Sequence, residues 1–232
     1  MFWDPMYLVF ALPAMLLAFW AQMRVRSAYS RYLRVPNERS ITGLEAAQMM
    51  LRSHGLGHVS VQGTPGQLTD HYDPRSKALH LSQGVANSRS VAALSIVAHE
   101  VGHAVQDQTN YGPLKLRSGL VPMVTVSSYV GPVLFIIGLM FQATGLAWAG
   151  LILFSASAFF AVLTLPVEMN ASKRALLMLR TDGLIVQGTE EAGARRVLDA
   201  AAWTYVAALI QVLSTLLYYV FLLTGSSSRR RR

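Results

Sequence analysis

Long uninterrupted runs of apolar residues are the dominant pattern in this chain of 232 residues. Four of them contain no Asp, Glu, Lys or Arg. Each reaches the length of roughly 18 to 20 residues that a helix needs to cross the hydrocarbon core of a bilayer. They occupy residues 6–23, 120–142, 146–167 and 203–223. One such run could be a buried core helix, but four would leave too little polar chain to cover them. The pattern therefore predicts four transmembrane helices.

The region between the first two runs has shorter patterns. Residues 41–52 are predicted to form a helix, with Thr42 as N-cap and Glu45 as its capping-box partner. Three short segments, 58–62, 68–72 and 77–82, are predicted to be strands, and a second helix is predicted over residues 91–106. The expected fold class is α+β: a mainly helical multi-pass membrane protein with a small domain of helices and a sheet.

The predicted helix 91–106 separates apolar from polar residues. Its apolar stripe has helical spacing and consists of Leu94, Val97, Ala98, Val101 and Val105. Another face carries His99, Glu100 and His103, which form an HExxH motif. Ser88 or Ser90 is expected to cap the helix. Gly102 lies inside it, and we hypothesise that its missing side chain leaves room for close packing or for a substrate.

The HExxH spacing indicates a metal site. Residues i and i+4 lie one turn apart on one face of a helix, so His99 and His103 can bind one Zn²⁺. Glu100 is then not a ligand but a base that takes a proton from a zinc-bound water and passes it to a leaving amine. The alternative is a pair of surface histidines on an ordinary helix.

A zinc site of this kind needs a third protein ligand, and the chain has no cysteine to supply one. Glu168 is the candidate that topology favours. Two predicted spans separate it from His103, and an even number of crossings returns the chain to the same side of the membrane. The alternative is a carboxylate at the membrane surface that pairs with Lys173 or Arg174. The remaining candidates are His54, His58, His71, His80, Asp107, Asp182, Glu190, Glu191 and Asp199.

Composition and charge fit a membrane protein. Hydrophobic residues make up 53% of the chain, charged residues only 14%, and the mean hydropathy is +0.36. Residues 24–119 and 168–202 carry 11 and 5 Lys or Arg residues, whereas the link 143–145 carries none. The positive-inside rule therefore places these two segments in the cytoplasm. The net charge of +8 is explained by this orientation and does not call for nucleic acid.

The predicted organisation follows from these segments. It consists of an N-terminal transmembrane helix (1–23), a cytoplasmic metal-binding region (24–119), a transmembrane hairpin (120–167), a cytoplasmic helix with the third ligand (168–202), a transmembrane helix (203–223) and a basic tail (224–232). Four crossings place Arg229–Arg232 outside, against the positive-inside rule. Either this tail is translocated despite its charge, or the fourth span does not cross.

Three stretches of the sequence resemble one known family. They are LTDHYDP (residues 68–74), AHEVGHAVQ (98–106) and LPVEMNASKRAL (165–176). The chain resembles the YugP-type bacterial membrane zinc metallopeptidases, neutral zinc metallopeptidase family 2, over nearly its whole length. The resemblance implies a zincin-like, gluzincin-related peptidase with one Zn²⁺ per chain. His99, His103 and Glu168 would be its zinc ligands and Glu100 its base.

Three further sets of residues are predicted to have supporting roles. In HtpX-type and prenyl-protein endopeptidases an Asp follows the ligand Glu by four residues, whereas Ser172 stands there in this chain. Ser172 or Asn170 is therefore predicted to support a ligand through a hydrogen bond. His71 or Tyr72 is a candidate to bind substrate or to donate to the oxyanion of the transition state. Asp70 and Asp73 are expected to make turns with Pro74.

The motifs predict a membrane-embedded zinc endopeptidase that acts on membrane or juxtamembrane protein substrates. Two alternatives stay open. In an intramembrane protease the HExxH helix would itself span the bilayer, but its run of 15 residues is short for that. A non-catalytic zinc-binding scaffold or adaptor could dispense with Glu100, which is present here. The expected partners are the lipid bilayer and a peptide or protein substrate, and the sequence does not specify an oligomeric state.

Overall fold

A computed structural model describes residues 5–229 of the chain. It is mostly helical with one small sheet, so the predicted fold class is confirmed. The elements are α1 (Pro5–Tyr32), α2 (Gly43–Ser53), β1 (Ser60–Thr64), β2 (His71–Asp73), β3 (Ala78–Ser82), α3 (Gln83–Ala86), α4 (Val91–Gln108), α5 (Gly112–Met140), α6 (Thr144–Thr181) and α7 (Thr189–Arg229). The first four residues and the last residues of the basic tail, 230–232, lie outside the described residues.

Within residues 5–229, four helices are long and apolar enough to cross a membrane, as the four apolar runs predicted: α1, α5, α6 and α7. Each continues beyond its apolar run. In α6 the helix passes through Pro166 without interruption and includes Glu168. The proline is thus accommodated within one helix of 38 residues.

The chain divides into two compact units. The first contains residues 1–20, 116–165 and 204–232, which include most of the apolar runs. Its core is largely aromatic, with Phe135 stacked on Tyr219 at a ring-centroid distance of 4.0 Å. Gly150 allows α5 and α6 to approach closely, because a Cβ atom there would lie 2.4 Å from the backbone nitrogen of Phe135. Many large apolar side chains of this unit are exposed, as expected for contact with lipid.

The second unit contains residues 21–115 and 166–203. Its sheet has the order β1-β3-β2, with β1 parallel and β2 antiparallel to β3. α2 begins with the predicted capping box, in which Thr42 accepts from the backbone of Glu45 and the Glu45 carboxylate accepts from the backbone of Thr42. Gly55, just after this helix, has a φ of +70°, which suits glycine at a helix end.

Helix α4 lies at the centre of this unit. Of its 18 residues, 14 are buried, including the polar face that carries the HExxH motif. Its apolar side chains join a core formed by α2, the sheet and the unit's parts of α6 and α7. Burial on nearly every side, rather than on one stripe, means that every polar group on α4 needs a partner within the protein.

Candidate metal centre

Helix α4 presents the two histidines of the motif to one another. Ser90 is the N-cap and accepts from the backbone N–H of Ala93 at 3.2 Å. Nine residues later the chain reaches His99, and one further turn brings His103 to the same face. Their rings meet edge to face at a centroid distance of 4.8 Å. Both side chains are almost completely buried, which is unusual for histidines without a specific partner.

That partner is Glu168, which α6 supplies. Its Oε2 atom lies 3.1 Å from Nε2 of His99 and 3.4 Å from Nε2 of His103. The carboxylate is only 2% exposed. The three ligand atoms lie within 4.8 Å of one another, so the group could hold a metal ion. These contacts favour the hypothesis of a third ligand over that of a surface ion pair with Lys173 or Arg174.

The donor set fits zinc in both chemistry and spacing. Two imidazole nitrogens and one carboxylate oxygen are ligands that Zn²⁺ prefers. In a tetrahedron with metal–ligand bonds of about 2.0–2.1 Å, the ligand atoms are roughly 3.3–3.4 Å apart. The separations of 3.1 and 3.4 Å from the Glu168 oxygen to the two nitrogens are close to that value. Three protein ligands would also leave a fourth position open for a water or substrate.

Gly102 makes this meeting of α4 and α6 possible. A Cβ atom at this position would lie 2.8 Å from the carbonyl oxygen of Ala171 and 3.4 Å from its Cα. Ala171 follows Glu168 by three residues on α6. The hypothesis that the missing side chain allows close packing is therefore the one the structure supports, and the packing partner is backbone rather than a flexible side chain.

The other nitrogen of each imidazole also has a partner. Ser172 Oγ lies 3.2 Å from Nδ1 of His99, and Gln106 Oε1 lies 3.0 Å from Nδ1 of His103. The Gln106 amide nitrogen donates to the Val167 carbonyl and to the Asn170 side chain. Its oxygen must therefore accept from Nδ1–H of His103, which leaves the Nε2 lone pair of that ring for a metal.

Gln106 was not among the residues that the sequence predicted to support a ligand. It is completely buried and links the HExxH helix to the turn of α6 that carries Glu168. A signal was present, because Gln106 follows His103 by three residues and so lies on the same helical face. Of the two residues predicted to support a ligand, Ser172 contacts His99 directly. Asn170 acts through Gln106 and also accepts from Nε of Arg174.

Glu100 lies between the ligands in sequence but is held by a different element. Its Oε2 atom accepts from the backbone N–H of Tyr72 in β2 at 3.0 Å. Burial raises the pKa of Glu100, against the opposing effect of the neighbouring His99 and His103. A carboxylate with a raised pKa is better suited to accept and return a proton near neutral pH.

The two candidates from strand β2 have different surroundings. Tyr72 touches the site through its backbone, while its hydroxyl donates to Asp107 at 2.6 Å. Burial and this hydrogen bond raise the pKa of the Tyr72 hydroxyl, which keeps it protonated. The exposed ring of His71 stacks on His80 at a centroid distance of 4.6 Å, and it has no hydrogen bond to His99, Glu100 or His103 among the described residues. A role of either side chain toward an oxyanion stays a prediction.

Most of the other acidic candidates have partners elsewhere in the second unit. Asp107 binds Lys77 and Tyr72, Asp182 binds His54, Glu190 accepts from the backbone of Glu38 and Val186, and Glu191 pairs with Arg180. Asp73 makes the predicted turn by accepting from the backbone of Arg75. Asp70 does not, because it accepts from the backbone and side chain of Ser82 instead.

A buried His-His-Glu group with an acidic residue beside it is the arrangement of a metallopeptidase centre. Comparison with known proteins agrees. The model of a family described as "Putative neutral zinc metallopeptidase" matches residues 7–224. A protein of Bacillus subtilis (strain 168) named "Putative membrane protease YugP" is 43% identical over 217 residues, which cover 94% of this chain and 96% of that relative. No solved structure matches the chain.

The chain therefore belongs to this family of neutral zinc metallopeptidases, and the predicted family resemblance is confirmed. The family implies zinc, and the residues that the structure brings together could bind it. The four apolar helices and the name of the relative both support a membrane protein.

We expect Gly102→Ala to weaken zinc binding by about 10- to 100-fold, the range found when the support of a ligand is disturbed. The added methyl group would press on the Ala171 backbone and move Glu168 away from the imidazoles. The measurement is a zinc titration against a chromophoric chelator. Gly119→Ala is the matched control, since nothing lies within 4 Å of a Cβ atom there. Equal affinity in both variants would show that the close approach does not position the ligand.

Proposed function

We propose that this protein is a zinc-dependent endopeptidase, with His99, His103 and Glu168 as zinc ligands and Glu100 as the base. The observation that carries this proposal is a buried three-ligand group with a second buried carboxylate beside it, Glu100, on the helix that also carries the two histidines. A structural zinc site would need a fourth protein ligand, and the described residues offer a group of three.

Zinc bound by these three residues would polarise the scissile carbonyl and lower the pKa of a coordinated water to about 7. The protein residues do the rest. The backbone of Tyr72 holds one oxygen of Glu100, and the second oxygen is available to accept the proton of the attacking water. Glu100 then returns this proton to the leaving amine. Ser172 and Gln106 orient the two imidazoles throughout.

The alternatives predict different features. For an intramembrane protease, the HExxH helix itself should span the bilayer. Helix α4 is not among the four helices that are long and apolar enough to do so. For a scaffold, Glu100 would have no required role, yet it is buried and held by strand β2. A catalytic centre in a membrane protein encounters polypeptides that lie in or near the bilayer. We therefore infer that the substrates are membrane or juxtamembrane proteins.

We expect purified protein to contain one Zn²⁺ per chain and Glu168→Ala to bind zinc more than about 100-fold more weakly, because the change removes a ligand rather than its support. Metal analysis and zinc titration measure both quantities. Glu191→Ala, which removes a carboxylate paired with Arg180, is the control and should keep its zinc. Full zinc content in Glu168→Ala would remove this residue from the ligand set.

We expect Glu100→Gln to keep its zinc and to lose peptide hydrolysis by about 10²- to 10⁴-fold, the usual contribution of a general base. The amide has nearly the same shape but cannot accept the proton. Cleavage of a fluorogenic peptide library in detergent, together with metal analysis, tests this. Retained turnover in Glu100→Gln would contradict the role of Glu100 as the base. If the wild-type protein itself hydrolysed no peptide, the scaffold alternative would be favoured.

We further propose that the metal-binding unit faces the cytoplasm, because 16 Lys or Arg residues lie in residues 24–119 and 168–202 and none in the link 143–145. The chain has no native cysteine, which makes labelling clean. An impermeant thiol reagent applied to intact cells is expected to label Thr144→Cys and to spare Asn87→Cys until the cells are permeabilised. Both positions are exposed. The reverse pattern would invert the proposed orientation.

A further inference from the structure

Three arginines from two helices line one open cavity of about 230 Å³ in the second unit. Arg24 and Arg31 come from α1 and Arg196 from α7. The rest of the lining consists of Ser27, Ala28, Tyr32 and Ala200. On α1 the lining positions follow the spacing i, i+3, i+4 and i+7, so they share one helical face. Within the described part of the chain, no Asp or Glu lines this cavity.

Tyr32 holds two of the three arginines in place. Its buried hydroxyl accepts from Nη1 of Arg196 at 3.2 Å, and the guanidinium carbon of Arg31 lies 5.7 Å from the centre of its ring. Gly193 lets the ring pack against α7, since a Cβ atom there would come within 2.7 Å of Tyr32 Cε1. A buried tyrosine therefore orders two of the three arginines, whose own side chains are exposed to solvent.

The positions of these arginines along their helices indicate where the cavity lies. Arg24 is the first basic residue of the chain and directly follows the apolar run 6–23. Arg196 is the last basic residue before the apolar run 203–223. The ends of apolar runs mark the edge of the hydrocarbon core, where lipid phosphates begin. Guanidinium groups bind phosphate through paired hydrogen bonds.

We propose that this cavity binds the phosphate of an anionic phospholipid headgroup. The ligand is a lipid rather than free phosphate because Arg24 directly follows one apolar run and Arg196 is the last basic residue before another. Basic pockets between membrane helices suit such headgroups. A bound headgroup would bridge α1 and α7. The positive-inside rule requires only that these arginines lie in the same cytoplasmic segments. A headgroup site requires in addition that their side chains come together around one cavity, as they do here.

The experiment compares two triple variants of the full-length protein in detergent by native mass spectrometry with added phosphatidylglycerol. The first is R24A/R31A/R196A, which empties the cavity of positive charge. The second is R26A/R34A/R195A, which removes the same charge from exposed arginines that do not line the cavity. We expect the first variant to lose at least about tenfold in affinity for phosphatidylglycerol and the second to stay within about twofold of the wild-type protein.

Zinc content and circular dichroism serve as the checks of folding. If the first triple variant does not fold, the single variants Arg24→Ala and Arg31→Ala are compared with Arg26→Ala. An equal loss of affinity for phosphatidylglycerol in the cavity and control variants would show that the arginines act only as unspecific surface charge. That result would overturn the proposal. Equal binding of phosphatidylcholine, or displacement of phosphatidylglycerol by low concentrations of inorganic phosphate, would overturn it as well.

Discussion

The contact between Gly102 and the backbone of Ala171 is the constraint on which the candidate metal centre depends. It lets α4 and α6 come close enough for one carboxylate oxygen to reach two imidazoles. A buried carboxylate is costly unless it is paired, so Glu168 needs the histidines as much as they need it. A Cβ atom at position 102 would lie only 2.8 Å from the Ala171 carbonyl oxygen, so the two helices would have to move apart. Such a shift matters for side chains that must meet around one metal ion.

The groups around the ligands complete this arrangement, because α4 is buried on nearly all sides and its polar groups need partners within the protein. Gln106 satisfies His103 and ties α4 to the backbone of Val167, next to Glu168. The sheet contributes through Tyr72, whose backbone holds Glu100. Glu100 shares α4 with the two histidines, but its carboxylate is held by β2, whereas their rings contact Gln106 and Ser172.

The basic residues divide into groups that composition alone does not separate. The net charge of +8 agrees with one membrane orientation as a whole. Individual arginines are more specific. Arg174 binds Asn170 beside the metal centre, Arg180 pairs with Glu191, and Arg196 turns toward Tyr32 in the cavity shared with α1. Position in the fold, and not charge itself, distinguishes a residue that sets topology from one that builds a site.

Local patterns determined much of this protein. The apolar runs predict the four long helices. The positions of Thr42 and Glu45 predict the capping box, and the i, i+4 spacing of His99 and His103 predicts their shared face, because helical periodicity and end capping act within a few residues. Glu168 could also be predicted as a candidate ligand, because an even number of membrane crossings after His103 returns the chain to the same side of the membrane. Tertiary structure decided the rest: that α6 continues through Pro166, that Gln106 supports His103, and that His71 pairs with His80. These outcomes depend on which distant segments pack together, and the pattern within any one segment does not contain that information.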